Sequence, residues 1–144
     1  MKLVIQRVIK ASVSVENKQV SSIGHGLLIL LGIHEDDSTE DVVAAAQKIS
    51  RMRIMSDSEG KMNRSVKDVN GSVLVVSQFT LISDTRKGNR PSFIKAALPD
   101  KAKKLYETFV QELKNQEVKR VETGAFGAYM QVELVNDGPV TIVI

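Results

Sequence analysis

The chain has no cysteine and no tryptophan, and its only histidines are His25 and His34. Without cysteine there can be no disulfide, no thiolate nucleophile and no Cys-rich metal site, so the fold must hold by packing alone. That suits a reducing cytosol, and a cytoplasmic setting is the expectation. Aromatic residues make up 4% of the chain, which argues against a lectin-like or base-stacking surface. Long apolar runs are missing too. The longest, Leu27 to Leu31 with its flanks, is far too short to span a bilayer. Charge at Lys2 and Arg7 comes too early for the apolar core of a signal peptide. No HExxH pattern and no GxxxxGK[ST] phosphate loop can be read, and no Ser-His-Asp set is legible. The expectation is therefore no metal and no organic cofactor. A hydrolase with this inventory must work through backbone groups, hydroxyls and its substrate's own atoms.

What is present describes a globular domain. The 144 residues fit one domain, 1–144, and a hydrophobic fraction of 42% is enough for a core. The net charge of +3 is mild but uneven. Arg86, Lys87, Arg90, Lys95, Lys101, Lys103 and Lys104 are opposed only by Asp84 and Asp100, whereas Glu35, Asp36, Asp37, Glu40 and Asp41 form an acidic cluster. The basic stretch fits either an RNA end or phosphate as ligand, or a solvated helix face beside a surface loop.

Hydrophobic periodicity divides the chain. Val4 to Glu16 reads as a strand, since Val13 and Val15 alternate with Ser12, Ser14 and Glu16. Asn17-Lys18 is the expected turn before a strand over 19–23. The break at Gly24-His25-Gly26 leads into a buried strand over 27–33. Ser38 to Met52 has helical spacing, with Ser38 as cap and Glu40 and Asp41 in the first turn. Residues 56–60 form a turn, and 72–81 form a central strand covered on both faces. Residues 84–100 read as a long loop with one helical turn over 93–97. Lys101 to Gln116 is a helix with Ala102, Leu105, Tyr106, Phe109 and Leu113 on one face. From 128 the pattern is extended again, ending in a strand over 140–144. The order indicates an α+β fold, a sheet or partial barrel carrying two helices.

Two segments concentrate usable groups. Ser77-Gln78-Phe79-Thr80-Leu81 ends the most strand-like run, and a period of two sets Ser77, Phe79 and Leu81 on one face. Ser77 and Thr80 are conceivable nucleophiles, but each would need a base. His25 reads as a turn residue, His34 as solvent-exposed, and Asp36 and Asp37 as surface charge. The second segment is Asn136-Asp137-Gly138-Pro139-Val140-Thr141. Its Gly-Pro pair joins two strands. It reads either as a hairpin turn or as a cis peptide that presents bare backbone to a ligand.

Together these segments resemble the D-aminoacyl-tRNA deacylase family. Ile5-Gln6-Arg7-Val8, Gly71 to Val76, Arg90-Pro91-Ser92-Phe93 and Met130-Gln131-Val132 match as well, so the likeness runs nearly end to end. The resemblance implies a homodimer of a small β-barrel-like fold with two main helices and the active site at the subunit interface. It implies hydrolysis of the ester of D-aminoacyl-tRNA and of glycyl-tRNA, with L-aminoacyl-tRNA spared. Gly138 and Pro139, cis and reaching in from the partner, would hold the α-amino group and reject an L side chain. Arg7 would hold their carbonyls, and Met130 would contact substrate. Ser77, Gln78, Phe79 and Thr80 would form the catalytic wall, with an amide near Phe79 facing the oxyanion and the Phe79 ring facing the terminal adenosine. Attack by water assisted by the ribose 2′-hydroxyl ranks above attack by Thr80. Arg86, Lys87 and Arg90 would guide the tRNA acceptor stem. No membrane and no DNA partner is expected.

Overall fold

One long strand, β1 (Lys2–Val15), organises the molecule in the computed structural model, which describes residues 1–144. It turns back at Glu16-Asn17, both at positive φ (49° and 62°), one residue earlier than expected. The returning arm comes in two halves, β2 (Lys18–Ile23) and β3 (Gly26–Gly32). The pairs Ala11↔Ile23 and Val8↔Gly26 share one register, so the arms form a single antiparallel hairpin interrupted at Gly24-His25.

The chain then crosses the sheet twice. After β3 it forms α1 (Thr39–Arg51) and a small hairpin, β4 (Met55–Ser56) and β5 (Met62–Arg64). It re-enters as β6 (Ser72–Ser77), parallel to β3. A second crossover carries α2 (Pro99–Asn115) and returns as β7 (Arg120–Thr123), parallel to β6. The main sheet runs β2-β1-β3-β6-β7, and β8 (Gln131–Val143) pairs antiparallel with the free edge of β1. Two helices on a curled, nearly closed sheet bear out the α+β, barrel-like expectation. No helix is long and apolar enough to cross a membrane.

The continuous apolar runs have a direct cause. In β3 and β6 successive side chains point to opposite faces, and both faces are covered. Leu27, Ile29, Leu31, Val73 and Val75 face the helices, in a core with Leu3, Ile5, Val42, Ile49 and Phe109. Leu28, Leu74 and Val76 face the concave side, with Val8, Ala11, Val13 and Ile23. Met130 and Val132 pack against that second cluster.

The helix ends follow local chemistry. Ser38 caps α1 in a capping box with Asp41. α2 starts at Pro99, two residues before the expected Lys101, because proline suits the first helical position, where its missing N–H has no partner to lose. The segment before it is not a free loop. Asp84 and Ser92 exchange backbone hydrogen bonds at 2.8 and 2.9 Å, and Ala97 N–H reaches Ile33 O at 3.0 Å. The expected turn is present, closed by Ala96 N–H to Phe93 O at 2.9 Å.

Two expectations about the motifs are corrected. The strand over 72–81 stops at Ser77, and Phe79–Leu81 wind into a 3-10 turn, so Ser77, Phe79 and Leu81 do not share a strand face. Gly138-Pro139 does not join two strands. It lies within β8, where residues 137–140 oppose Arg7 alone between the pairs Val8↔Asn136 and Gln6↔Thr141.

Candidate active site

The first part of the site forms where β6 leaves the core. Gln78 N–H extends the ladder to Leu31 O at 2.8 Å, and the chain then turns tightly, with Ile82 N–H to Phe79 O at 2.9 Å. Gly32 makes room for this turn, since a Cβ there would sit 2.8 Å from Gln78 O and 3.0 Å from Leu81 Cβ. The first amides of such a turn have no partner within it, which leaves the Phe79 and Thr80 N–H groups as available donors. The Phe79 ring is 56% exposed and meets Phe93 edge-on, with centroids 5.3 Å apart.

Beside this turn opens a cavity of about 590 Å³. Ser77, Gln78 and Phe79 line it on one side, and Met130 and Tyr129 on another. Leu98 and Ala102, at the start of α2, contribute a third wall. The end of β6 is held from behind by Tyr106, whose buried hydroxyl donates to Val75 O at 2.7 Å. Burial pushes that phenol well above its ordinary range, so it serves as a neutral donor. Thr80 is outside the cavity lining, and its hydroxyl accepts from the Gln78 side-chain amide. Neither Ser77 nor Thr80 hydrogen-bonds a histidine or a carboxylate.

The second part lies on the β1–β8 edge. Arg7 is 7% exposed, and its Nε donates to Asp137 O at 3.0 Å. The same Nε is 3.0 Å from Asp137 Oδ2, while Nη1 donates to Ile54 O at 2.9 Å and Ser56 Oγ at 3.2 Å. His25 Nε2 lies 3.6 Å from the same Asp137 oxygen. The Gly138-Pro139 peptide is cis, and Gly138 has φ 134°, in the region that favours glycine. Met130 belongs to the first part, whereas Arg7, Gly138 and Pro139 belong to the second. The two parts do not meet within one chain. Arg7 shares a row with Leu27 and Val73, whereas Ser77 shares one with Leu31 and Leu3. The offset is four residues, roughly 13 Å along the sheet.

Comparison with known proteins bears on the chain as a whole. The family model for D-Tyr-tRNA(Tyr) deacylase matches residues 4–144. A D-aminoacyl-tRNA deacylase from Thermosipho africanus is 58% identical over 144 residues, covering 100% of this chain and 96% of that protein. The chain belongs to the D-Tyr-tRNA(Tyr) deacylase family. Among solved structures, the "c-Myc DNA Unwinding Element Binding Protein" superposes with a TM-score of 0.94 at 42% identity, covering 100% of this chain and 97% of that one. A structure described as a "probable eukaryotic D-amino acid tRNA deacylase" superposes with a TM-score of 0.88 at 16% identity, covering 99% and 97%, and so shares the fold. The sequence expectation of a deacylase, a hydrolase, is borne out.

The remaining expected groups of this deacylase are differently engaged. Arg86 is tied to Asp84 through Nε at 2.9 Å and Nη2 at 2.6 Å. Those hydrogen bonds hold the Asp84 carboxyl well below the usual carboxylate range. Arg86 is thus locally neutralised, whereas Lys87 and Arg90 are exposed and form no ion pair. His34 is half-buried rather than exposed, and its Nδ1 accepts from Asp36 N–H at 3.2 Å. Asp37 is not free surface charge, because it pairs with the N-terminal amine at 2.6 Å. His34, Glu35 and Asp36 bring donor atoms within 4.8 Å of one another, outside the cavity lining and with His34 Nδ1 already engaged. Sequence reasoning missed Ser56, Ile54 and His25 around Arg7, and Phe126 and Tyr129 at the cavity. Only His25, a histidine between glycines, carried any signal.

Proposed function

We propose that this deacylase hydrolyses the ester linking a D-amino acid, or glycine, to the terminal ribose of tRNA, and that it works as a homodimer. The observation that carries the proposal is the split site. The cavity wall of Ser77, Gln78 and Phe79 and the Arg7-supported Gly138-Pro139 segment are far apart in one chain. A second copy supplies a way to bring them together. Leu134, Val135, Val143 and Ile144 leave apolar surface exposed on and beside β8, which supports a partner on that edge. tRNA as substrate makes the cytoplasm the expected setting.

In this reading the aminoacylated end enters the cavity, with the terminal adenosine against Phe79 and Met130 beside the aminoacyl group. The carbonyls of Gly138 and Pro139 from the second copy accept from the substrate's α-ammonium group. With that group fixed, an L side chain points into the Gly-Pro backbone and a D side chain points away. Discrimination is then repulsion of the wrong enantiomer, and glycine has nothing to repel. Water attacks the ester carbonyl, and the amides at Phe79 and Thr80 receive the developing oxyanion. The carbon–oxygen ester bond breaks, and the ribose oxygen leaves with a proton. The lack of a histidine or carboxylate on Ser77 and Thr80 supports assistance by the ribose 2′-hydroxyl over a side-chain nucleophile. Lys87 and Arg90, with Arg86 beside them, would contact acceptor-stem phosphates.

The test is deacylation of tRNA charged with D-Tyr, L-Tyr or, on tRNA(Ala), Gly, by the wild type, by Gly138→Ala and by buffer alone. Rapid loss of the D and glycyl esters, sparing of the L ester and impairment in Gly138→Ala are expected. No acceleration over buffer by folded protein would favour a non-catalytic nucleic-acid-binding module, for which the exposed Lys87 and Arg90 speak.

A further inference from the structure

We infer that Ser56, on the β4–β5 hairpin, is a positioning residue for chiral selection, acting on Gly138-Pro139 through Arg7. The inference rests on the reading of Gly138-Pro139 as the selective wall. Residues 137–140 are opposed by no residue of β1 except Arg7, so ladder hydrogen bonds do not fix their position. Arg7 supplies their closest polar attachment to the body of the protein, binding Asp137 at both its carbonyl and its carboxylate, while His25 Nε2 stands 3.6 Å from that carboxylate and Val140 packs against the helix-side core. Gly138 follows directly, with its Cβ position 3.5 Å from Arg7 Nη2.

A guanidinium is a rigid planar fork, so fixing one arm fixes the direction of the others. The far arm of Arg7 is fixed by the hairpin, at Ile54 O and Ser56 Oγ. The hairpin is itself braced. Met55 is fully buried in the helix-side core, and Asp57 accepts from Glu59 N–H and Lys61 N–H at 2.9 Å and from the Asn63 side chain at 2.8 Å. Arg53 Nε closes the base on Asn63 O at 2.7 Å. The hairpin is therefore a stiff post outside the main sheet, and Ser56 is its side-chain contact with Arg7. Loss of the Ser56 hydroxyl leaves the guanidinium with Ile54 O alone on that side. The fork can then tilt, and the segment beyond it shifts away from the position that excludes an L side chain.

The experiment compares hydrolysis of D-Tyr-tRNA and L-Tyr-tRNA by wild type, Ser56→Ala, Ser56→Thr and Ser56→Val, each checked for an unaltered thermal transition. Thr and Val have the same shape and differ by the hydroxyl, so the pair stays informative even if Ala perturbs folding. The D/L rate ratio should fall on the order of tenfold in Ser56→Ala and Ser56→Val, the worth of one hydrogen bond to a charged group, and recover in Ser56→Thr. Ser56→Ala in an Arg7→Lys background should add little, because both changes act through one guanidinium. A merely structural role would lower stability without moving the ratio. An unchanged ratio in Ser56→Ala beside a changed one in Gly138→Ala overturns the role of Ser56 alone. An unchanged ratio in both overturns the selective wall, and the role of Ser56 with it.

Discussion

Thr80 bears a hydroxyl next to the cavity, and its one side-chain hydrogen bond is received from Gln78. A nucleophilic hydroxyl needs a base to take its proton, and none contacts it. Thr80→Ala should therefore retain most of the activity, losing less than about tenfold in kcat, because the amide at this position survives the substitution. Single-turnover kinetics on D-Tyr-tRNA would show this, and a loss of several orders of magnitude in folded protein would instead make Thr80 the nucleophile. At this scale the sequence was informative where chemistry is local. Ser77 to Thr80 and Gly138-Pro139 stand out because polar groups and a glycine-proline pair interrupt apolar strands. Ser56 is an unremarked serine in a turn, and its bond to Arg7 spans 49 positions that no periodicity reports. The facing of Phe79 was misjudged for a related reason. A period of two holds only while the strand lasts, and the ladder ends one residue before it.

At the scale of elements, α1 could be read directly because its cap is a matter of neighbours. Ser38 and Asp41 satisfy each other's amides across three residues. Hydrogen bonds from the Ser38 backbone and then its hydroxyl lower the Asp41 pKa. A carboxyl depressed on folding contributes stability above its unfolded pKa, and that contribution fades as pH falls through the folded value. Asp57, Asp68 and Glu112 are depressed in the same direction, Asp57 and Glu112 first by side-chain amides and Asp68 first by a backbone amide. The melting temperature should therefore drop as pH falls below about 4. Ser38→Ala should cost about 1 kcal/mol at neutral pH, the usual worth of an N-cap. It should also make the acid limb slightly shallower, since the hydroxyl's share of the Asp41 depression is lost while the backbone N–H of residue 38 stays. Melts of both proteins from pH 7 to 3 would check this, and parallel limbs would refute the linkage. The short β4, β5 and β7 were missed because two to four residues carry no measurable period. The Gly138-Pro139 segment reads in the sequence as a junction between two strands, whether turn or cis peptide, because what keeps it inside β8 is a partner in β1, 130 residues away.

At the scale of the whole molecule, the division of the site makes a prediction that no single-chain arrangement shares. The sheet holds Ser77 and Arg7 at rows four residues apart, and a folded sheet cannot slide one toward the other without moving every buried side chain to new neighbours. If two copies supply the two walls, each active site needs a sound Phe79 turn from one chain and a sound Gly138 segment from the other. Phe79→Ala and Gly138→Ala proteins should then each be defective alone. Gly138→Ala fails because the added Cβ would lie 2.8 Å from Val140 N at a φ of 134°. Mixed in equal amounts and allowed to exchange subunits, half of the dimers are hybrids. Each hybrid has one site with both walls intact and one with neither, so the mixture should recover about a quarter of wild-type activity. A mixture no more active than its components, with exchange demonstrated by native mass spectrometry, would place both walls of each site in the same chain. The shared site would then have to be abandoned, although the fold and the family would stand.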